Sequence, residues 1–505
     1  MVSIGLKPMT RREIVKVARD GTPVELSAAA RERICKSRAV VDKYVKESIV
    51  AYGITTGVGK LCNTFVTPDQ AAKLQINLSL SHSCGVGKRL SEEESRAVMV
   101  IRINNFARGY SGISLPIVEK MVEMLNLGLN PVLPEGGGVG SSGSLSTGGH
   151  MALAITGRGE IFYQHQPLQA AEAFARAGIQ PAVLETKDCL SLINGTHAMC
   201  GIGILAMEDL WGAIRVSEIC TAVSLEALAG NTAAFDPRLN GSKLHKGQTD
   251  AAANIIAMLE GSEIFTMKHK NVQDAYSYRC VPQVNGGARE VLEFAEGLLE
   301  REINSVSDNP VVIAEDEVIL SGGNFHGQIP ALALDNIAMA VATVSKIVER
   351  RISRLIDPQS SGLPAFLIEN SGLNSGLMIP QYIAASLASE IKLMANPVST
   401  DSIPTSGGQE DVVSNGTLAA IKAREAVDRL QSVLGVEIIC AAQALDLSRR
   451  ENLGKGTIAA QECIRRHVSK LEEDRFLEPD IVQATSLVTS GELVEAVEKA
   501  IGVLK

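Results

Sequence analysis

The 505-residue chain has little of what marks several large classes of protein. Aromatic residues make up only 4% of it, whereas a protein that binds nucleic acid by base stacking needs more of them. The net charge is -9 at pH 7 and no basic cluster offsets it, so we expect no nucleic-acid partner. The nine cysteines are odd in number and form no C-x-x-C pair. This argues against a disulfide framework and a structural zinc site, and we expect no metal.

Long apolar runs and a targeting segment are also missing. The longest uncharged stretch, 136–157, is interrupted by eight glycines, and we do not expect it to span a membrane. The first residues lack the apolar core of a signal peptide. Hydrophobic residues nevertheless make up 45% of the chain, which excludes intrinsic disorder. We therefore expect a folded, soluble, cytoplasmic protein that does not bind a membrane.

Most of the chain carries the apolar periodicity of helices. The long segments 92–108, 331–355 and 417–447 are rich in helix formers and keep apolar residues at near-helical spacing. Only Val311–Ile313 and Val318–Leu320, separated by an acidic turn, predict a short hairpin. Because strands and helices do not alternate regularly, we do not expect a parallel α/β sheet. The sequence predicts an all-α protein with little β structure.

The densest glycine and serine patch covers residues 134–150. Residues 138–143 match G-x-G-x-x-G, but a predicted helix and two prolines precede them where a dinucleotide fingerprint needs a strand. Phosphate binding and a merely flexible loop are therefore the weaker interpretations. The run Ser141-Ser142-Gly143 permits another chemistry, because small residues let the backbone fold tightly on itself. Attack of the Gly143 nitrogen on the Ser141 carbonyl, with loss of two waters, would leave a methylidene electrophile.

This run resembles the cofactor-forming segment of the aromatic amino acid ammonia-lyase and aminomutase family. Those enzymes build a 4-methylideneimidazole-5-one group (MIO) from Ala-Ser-Gly. Here Ser141 replaces the alanine, and Ser144 replaces the aspartate that usually follows. Further segments resemble the family's motifs in the same order along almost the whole chain: 52–59, 74–78, 81–87, 192–196, 273–283, 304–310, 322–326, 372–376 and 409–411.

The resemblance implies a role for several side chains. Tyr52 would be the base that removes the β-proton of the substrate, although a free tyrosine has a pKa of about 10. Arg279 would bind the substrate carboxylate through its planar guanidinium, and Phe325 would pack near the substrate ring. Hydrogen bonds to the cofactor carbonyl and the substrate are expected from three polar side chains: Asn194, Gln273 and Tyr276.

Two positions bear on the substrate. The family's selectivity pair falls on Ser81-His82, which is the form that its histidine enzymes carry. Glu410 stands where those enzymes carry glutamate and the phenylalanine and tyrosine enzymes carry glutamine. A carboxylate can bind an imidazole or imidazolium but is poorly matched to a phenyl ring. We therefore expect conversion of L-histidine to trans-urocanate and ammonia by a carbon–nitrogen lyase.

Two alternatives stay open at the level of sequence. The first is a tyrosine or phenylalanine lyase, or an aminomutase, of the same family. The second is a non-catalytic helical scaffold in which Ser144 prevents cyclisation.

The resemblance also implies an architecture. The family's fold is a large, elongated helical bundle of the ammonia-lyase and fumarase type. The enzymes are homotetramers in which three subunits build each active site, and motifs scattered along long helices agree with this. We expect an MIO-bearing region at residues 1–195 and a long-helix bundle with a C-terminal helical region at 196–505.

Overall fold

Helices account for most of the chain in the computed structural model, which describes residues 1–267, 269 and 271–505. The α-helices of these residues are α1 Arg11–Arg19, α2 Ala28–Lys46, α3 Pro68–His82, α4 Glu92–Phe106, α5 Leu115–Asn126, α6 Leu145–Ile155, α7 Ala170–Ala177, α8 Asp188–Ile193, α9 His197–Leu228, α10 Pro237–Asn240, α11 Lys246–Met258, α12 Tyr276–Arg279, α13 Val281–Ile303, α14 Gln328–Ile356, α15 Pro358–Ser361, α16 Met378–Met394, α17 Gly416–Ser448, α18 Lys455–His467, α19 Glu478–Thr489 and α20 Glu492–Ile501. The predicted all-α class is confirmed. The three long predicted helices correspond to α4, α14 and α17, with ends that differ by at most three residues.

Short strands contribute little to the chain. They are β1 Val2–Ile4, β2 Val24–Leu26, β3 Val86–Arg89, β4 Asn130–Pro131, β5 Pro134–Gly136, β6 Glu160–Tyr163, β7 Gln166–Gln169, β8 Val311–Ile313 and β9 Val318–Leu320. The predicted hairpin is confirmed as β8–β9, in the register Val311 to Leu320. The parallel pair β1–β2, the antiparallel pair β3–β5 and the three-stranded sheet β4–β6–β7 were not predicted.

The expectation that no strand precedes the glycine-rich run 138–143 was wrong. A strand, β5, does precede the run, and α6 begins at Leu145, just after it. However, β5 pairs antiparallel with β3 and is only three residues long. A dinucleotide fingerprint needs a parallel strand–helix–strand unit instead. The local structure therefore does not favour phosphate binding.

The chain divides into two compact units, each built from three separate segments. The first unit comprises Met1–Leu205, Ala295–Asp335 and Pro397–Ile421. The second comprises Ala206–Phe294, Asn336–Asn396 and Lys422–Lys505. The long helices α9, α13, α14 and α17 each continue from one unit into the other. The expected regions 1–195 and 196–505 stay a prediction.

Helix α4 is central to the first unit. It begins with a capping box, in which Ser91 Oγ accepts from the Glu94 backbone N–H and the Glu94 carboxylate accepts from the Ser91 backbone N–H. Every residue from Glu94 to Phe106 is buried, and the helix packs against α1 and α5. Arg96 and Arg102 remain inside because they donate to backbone carbonyls. The helix therefore carries polar groups that tie distant segments together.

Buried ion pairs join long helices within the described part of the second unit. Arg351 of α14 donates to the Glu437 carboxylate of α17 at 2.5 and 2.9 Å, and both side chains are inaccessible to solvent. Arg289 of α13 makes a bidentate pair with Glu218 of α9 at 2.9 and 2.7 Å. Each pair joins two long helices. The helices are therefore held in a specific rotational register by a polar contact as well as by apolar packing.

Helices α14 and α17 are long and apolar enough to cross a membrane by length and composition alone. However, 67% and 83% of their most apolar windows are buried inside the protein. Core helices of soluble proteins show the same burial.

Candidate active site

A cavity of about 430 Å³ in the first unit brings together segments that lie far apart in the sequence. It is lined by seven of the predicted site residues: Tyr52, His82, Ser141, Ser142, Gly143, Asn194 and Glu410. The three residues expected to form the cofactor therefore share one cavity with the expected base and the expected imidazole-binding groups.

The Ser141-Ser142-Gly143 turn is held by Gly195. The Gly195 N–H donates to the Ser142 carbonyl at 3.1 Å, and the Ser144 N–H donates to the Gly195 carbonyl at 3.0 Å. Gly143 has φ +83°, and a Cβ on it would lie 2.1 Å from the Gly195 oxygen. A side chain at position 143 is therefore excluded by both conformation and space.

A second loop holds the other end of the glycine-rich segment. The Asn415 N–H donates to the Val139 carbonyl at 2.8 Å, and Ser414 Oγ donates to the Gly140 carbonyl at 3.0 Å. The same loop carries Glu410, only a few residues earlier. The tertiary structure thus fixes the glutamate relative to the tripeptide.

Tyr52 lies in the turn that follows α2, and it is half-buried. Its phenolic oxygen accepts from the Gly59 N–H at 2.9 Å. Burial raises the pKa of Tyr52 and the negative charge of Glu410 raises it further, while the Gly59 hydrogen bond acts in the opposite direction. The raised pKa keeps Tyr52 protonated at neutral pH.

Glu410 contacts both the tripeptide and its own loop. Thr405 Oγ1 donates to Glu410 Oε2 at 3.0 Å, and Ser142 Oγ donates to Glu410 Oε1 at 3.4 Å. Backbone hydrogen bonds between residues 405 and 410 close the loop around the carboxylate. Glu410 is therefore a fixed acceptor at the wall of the cavity.

His82 is the last residue of α3. Its Nδ1 lies 3.0 Å from the Leu78 carbonyl, which can only accept, so Nδ1 carries the proton and Nε2 is an acceptor. Burial lowers the pKa of His82, although the Leu78 carbonyl and Glu410 oppose the shift. The imidazole is therefore neutral at pH 7. Ser81, its predicted selectivity partner, is exposed, does not line the cavity, and has its Oγ 3.1 Å from His82 Nδ1.

Asn194 differs from the expected arrangement. Its Nδ2 donates to the Leu190 and Asn309 carbonyls, each at 3.1 Å. Both amide protons are thus used inside the protein, and Oδ1 is the atom left for a further partner. The expected donation to a cofactor carbonyl would need one of these bonds to be exchanged.

The remaining predicted residues do not line this cavity. Gln273, Tyr276 and Arg279 belong to the second unit, where the Arg279 guanidinium lies 4.5 Å from the centroid of the Tyr276 ring. Gln273 is exposed, and Tyr276 is 70% exposed. Phe325 is half-buried in the first unit. Their proposed roles stay predictions.

Sequence reasoning missed two residues that shape the site. Gly195 lies inside the motif 192–196, but its pairing with Gly143 has no local signal. Thr405 lies in a polar, helix-poor segment, and it is identified by its hydrogen bond to Glu410 and its place in the wall of the cavity. Within the described part of the chain, no cluster of three or more His, Cys, Asp or Glu side chains could hold a metal ion.

The comparison with known families decides the classification. A family model described as aromatic amino acid lyase matches residues 9–466. This chain belongs to the aromatic amino acid lyase family. The predicted family and the predicted carbon–nitrogen lyase class are both confirmed.

Relatives of this lyase include a histidine ammonia-lyase of Alkaliphilus oremlandii, which is 46% identical over 99% of each chain. The crystal structure of histidine ammonia-lyase from Trypanosoma cruzi matches with a TM-score of 0.92 at 36% identity, over 99% of this chain and 95% of that one. A tyrosine aminomutase structure from Streptomyces globisporus matches with a TM-score of 0.95 at 34% identity, over 100% of both chains. The predicted likeness to histidine ammonia-lyase is confirmed, and the backbone fold alone does not separate the two activities.

Proposed function

We propose that this lyase converts L-histidine to trans-urocanate and ammonia. The observation that carries the proposal is that His82 and Glu410 line the same cavity as the tripeptide. The Glu410 carboxylate can accept the N–H of a substrate imidazole, and His82 Nε2 is a second acceptor. The relatives that share about 45% identity over nearly the whole chain are named histidine ammonia-lyase, which supports the same substrate.

The proposed cofactor is an MIO formed from Ser141, Ser142 and Gly143. The residues fit this group, because the turn is tight, Gly143 has φ +83°, and all three residues line the cavity. The Gly143 nitrogen bonds to the Ser141 carbonyl carbon. The first water takes the Ser141 oxygen with the amide protons of Ser142 and Gly143, and the second takes the hydroxyl and the Cα proton of Ser142. The resulting methylidene supplies an electrophile toward the amino group or the ring of the substrate.

The chain's own residues then bind and orient histidine. The Tyr52 oxygen receives the β-proton of the substrate, and the amino group leaves as ammonia while the double bond of urocanate forms. Since the pKa of Tyr52 is raised, the phenol must first release its own proton to solvent water, and the phenolate then takes the β-proton. The Gly59 N–H stabilises the phenolate oxygen once it forms.

The proposed assembly is a homotetramer in which other subunits complete each cavity. Arg279 and Tyr276 are suited to bind a carboxylate, yet neither lines the cavity of the first unit. Supply of these residues by a neighbouring subunit would bring the carboxylate-binding group to the substrate. We further propose that the enzyme is soluble and cytoplasmic.

Two measurements test this function. The intact mass of the purified protein should be lower than the sequence mass by two waters; a full-length chain at sequence mass would contradict the cofactor. Ultraviolet assays with histidine, tyrosine and phenylalanine should show urocanate from histidine. Turnover of tyrosine without histidine would contradict the substrate.

The second candidate is an aminomutase of the same family. A tyrosine aminomutase matches the whole chain with a TM-score of 0.95, so the shared fold is compatible with this candidate as well. Chromatography of the products distinguishes it, because an aminomutase would accumulate a β-amino acid in place of an unsaturated acid.

A further inference from the structure

A buried arginine lies behind the backbone that holds the tripeptide. Arg102 of α4 is inaccessible to solvent and packs its guanidinium over the Phe106 ring, 4.5 Å from the centroid. Its Nη1 donates to the Ser307 carbonyl at 3.2 Å, and its Nη2 donates to the Ser191 carbonyl. One side chain thus joins the segment before Gly195 to a segment more than a hundred residues later in the chain.

Gly195 is enclosed between Arg102 and Gly143. Its φ is +115°, and a Cβ on it would lie 2.2 Å from the Ser307 oxygen and 2.7 Å from Arg102 Nη1. On its other side, Gly195 bonds the Ser142 carbonyl and the Ser144 N–H, which flank Gly143. Displacement of Arg102 or Ser307 would therefore move the peptide against which Gly143 is pressed.

The charge of Arg102 is maintained inside the protein. Burial lowers its pKa to about 10, while Asp308, 3.9 Å away, acts in the opposite direction. Asp308 also pairs with the buried Lys187 at 3.2 Å. Arg102 is therefore charged at neutral pH, and its hydrogen bonds to carbonyls are the stronger, charge-assisted kind.

We propose that Arg102 is a positioning residue for closure of the cofactor ring. By fixing the Ser191 and Ser307 carbonyls, it fixes Gly195, and Gly195 in turn holds the Gly143 nitrogen near the Ser141 carbonyl carbon. The inference rests on the proposed function, since it requires that the ring forms. Small displacements of reacting atoms slow intramolecular reactions strongly, so a support of this kind changes the rate of closure.

The test compares Arg102→Lys with a matched control on the same helix. Lysine keeps the charge but cannot reach two carbonyls with a planar fork. Arg96→Lys is the control, because Arg96 is also buried and donates to the Val17 and Leu125 carbonyls, away from the cavity. Each protein is made in a timed cell-free translation reaction, and intact mass gives the fraction of full-length chains that have lost two waters. Circular dichroism and thermal melting of the purified proteins report the fold.

Arg102→Lys should slow the loss of water by about ten- to hundredfold, the effect of one charge-assisted hydrogen bond on a barrier. Arg96→Lys should cyclise like the wild type even where its melting temperature falls equally. Equal cyclisation rates for the two variants would overturn the inference. A wild-type chain that stays at sequence mass would overturn the proposed function and this inference together.

If Arg102→Lys is recovered only as aggregate, Phe106→Leu tests the same inference. Leucine preserves an apolar side chain but removes the ring on which the guanidinium lies. Its control is Phe174→Leu, another fully buried phenylalanine of the first unit. Slower cyclisation for Phe106→Leu than for Phe174→Leu supports the inference, and equal rates contradict it.

Discussion

At the scale of single residues, the site places an acidic group where it opposes ionisation of the base. Glu410 raises the pKa of Tyr52, and burial acts in the same direction. The same carboxylate accepts from Ser142, so it lies beside the residue whose hydroxyl must be lost. In the proposed reaction, Glu410 therefore affects proton transfer as well as substrate binding.

The pH dependence of kcat/KM should show the effect of Glu410 on the pKa of Tyr52. Tyr52 acts as a base only when it has lost its proton. We therefore expect kcat/KM for histidine to rise with pH as the phenol loses its proton. Glu410→Gln removes the negative charge that raises the pKa of Tyr52, and the rising limb should therefore move to lower pH. Asp411→Asn is the control, because it removes an exposed charge one residue along the same loop. An unmoved limb in Glu410→Gln would show that another group sets the profile.

We propose that Glu410 also selects the substrate. Glu410→Gln should lower kcat/KM for histidine by about ten- to hundredfold, which corresponds to one hydrogen bond to a charged group. Thr405→Val, which releases Glu410 Oε2 from its hydroxyl partner, should give a smaller loss. Steady-state assays of urocanate formation measure both variants. Equal activity in Glu410→Gln and the wild type would mean that the substrate imidazole does not bind there.

At the scale of elements, long helices position the site through buried polar contacts. Arg102 on α4 supports the Gly195 backbone, and Arg351 on α14 pairs with Glu437 on α17. A shift of either helix that separates the partners would leave a charge buried without its counter-charge, so each pair disfavours other registers. The helices thus fix the positions of the loops that they connect.

Loss of one partner in such a pair should be costly. Glu437→Gln leaves the Arg351 guanidinium buried without its counter-charge and should lower the free energy of unfolding by about 3–5 kcal/mol. Glu390→Gln is the control, since its pair with Arg429 is partly exposed and should contribute about 0–1 kcal/mol. Urea unfolding followed by circular dichroism compares the two. Similar losses in both variants would show that burial of the first pair adds nothing.

At the scale of the whole molecule, no arginine lines the cavity of the first unit among the residues that the structure describes. Arg279 lies in the second unit and stacks on an exposed tyrosine, Tyr276. If each site of a tetramer takes Tyr52 from one subunit and Arg279 from another, the Tyr52 and the Arg279 of one chain belong to two different sites.

Complementation tests that arrangement. Tyr52→Phe and Arg279→Met should each be almost inactive alone. In co-expressed hybrids, a site that draws Tyr52 and Arg279 from different chains is intact in about a quarter of cases for random assembly of a closed oligomer. Assays of tagged, purified hybrids should therefore recover about a quarter of the wild-type rate. Hybrids as inactive as the parents would show that one chain supplies both residues.

Much of this was accessible from the sequence. The helical periodicity around residues 92–108 predicted α4. The two short apolar runs at 311–313 and 318–320, with the acidic turn between them, predicted β8–β9, because local patterns report local structure. The Ser-Ser-Gly run and its flanking motifs indicated the family. The short strands β1 to β7 were not predicted, since two- to four-residue strands carry little periodic signal.

The sequence by itself determined which groups this protein carries: the helical class, the tripeptide, the tyrosine and the glutamate. Only the tertiary structure decided which of them meet. Ser142 and Glu410 are 268 residues apart, yet their side chains are within 3.4 Å. Gly143 presses on Gly195, and Arg102 lies behind it. No local pattern encodes these contacts, because they arise when packed helices and loops from distant segments enclose the same space.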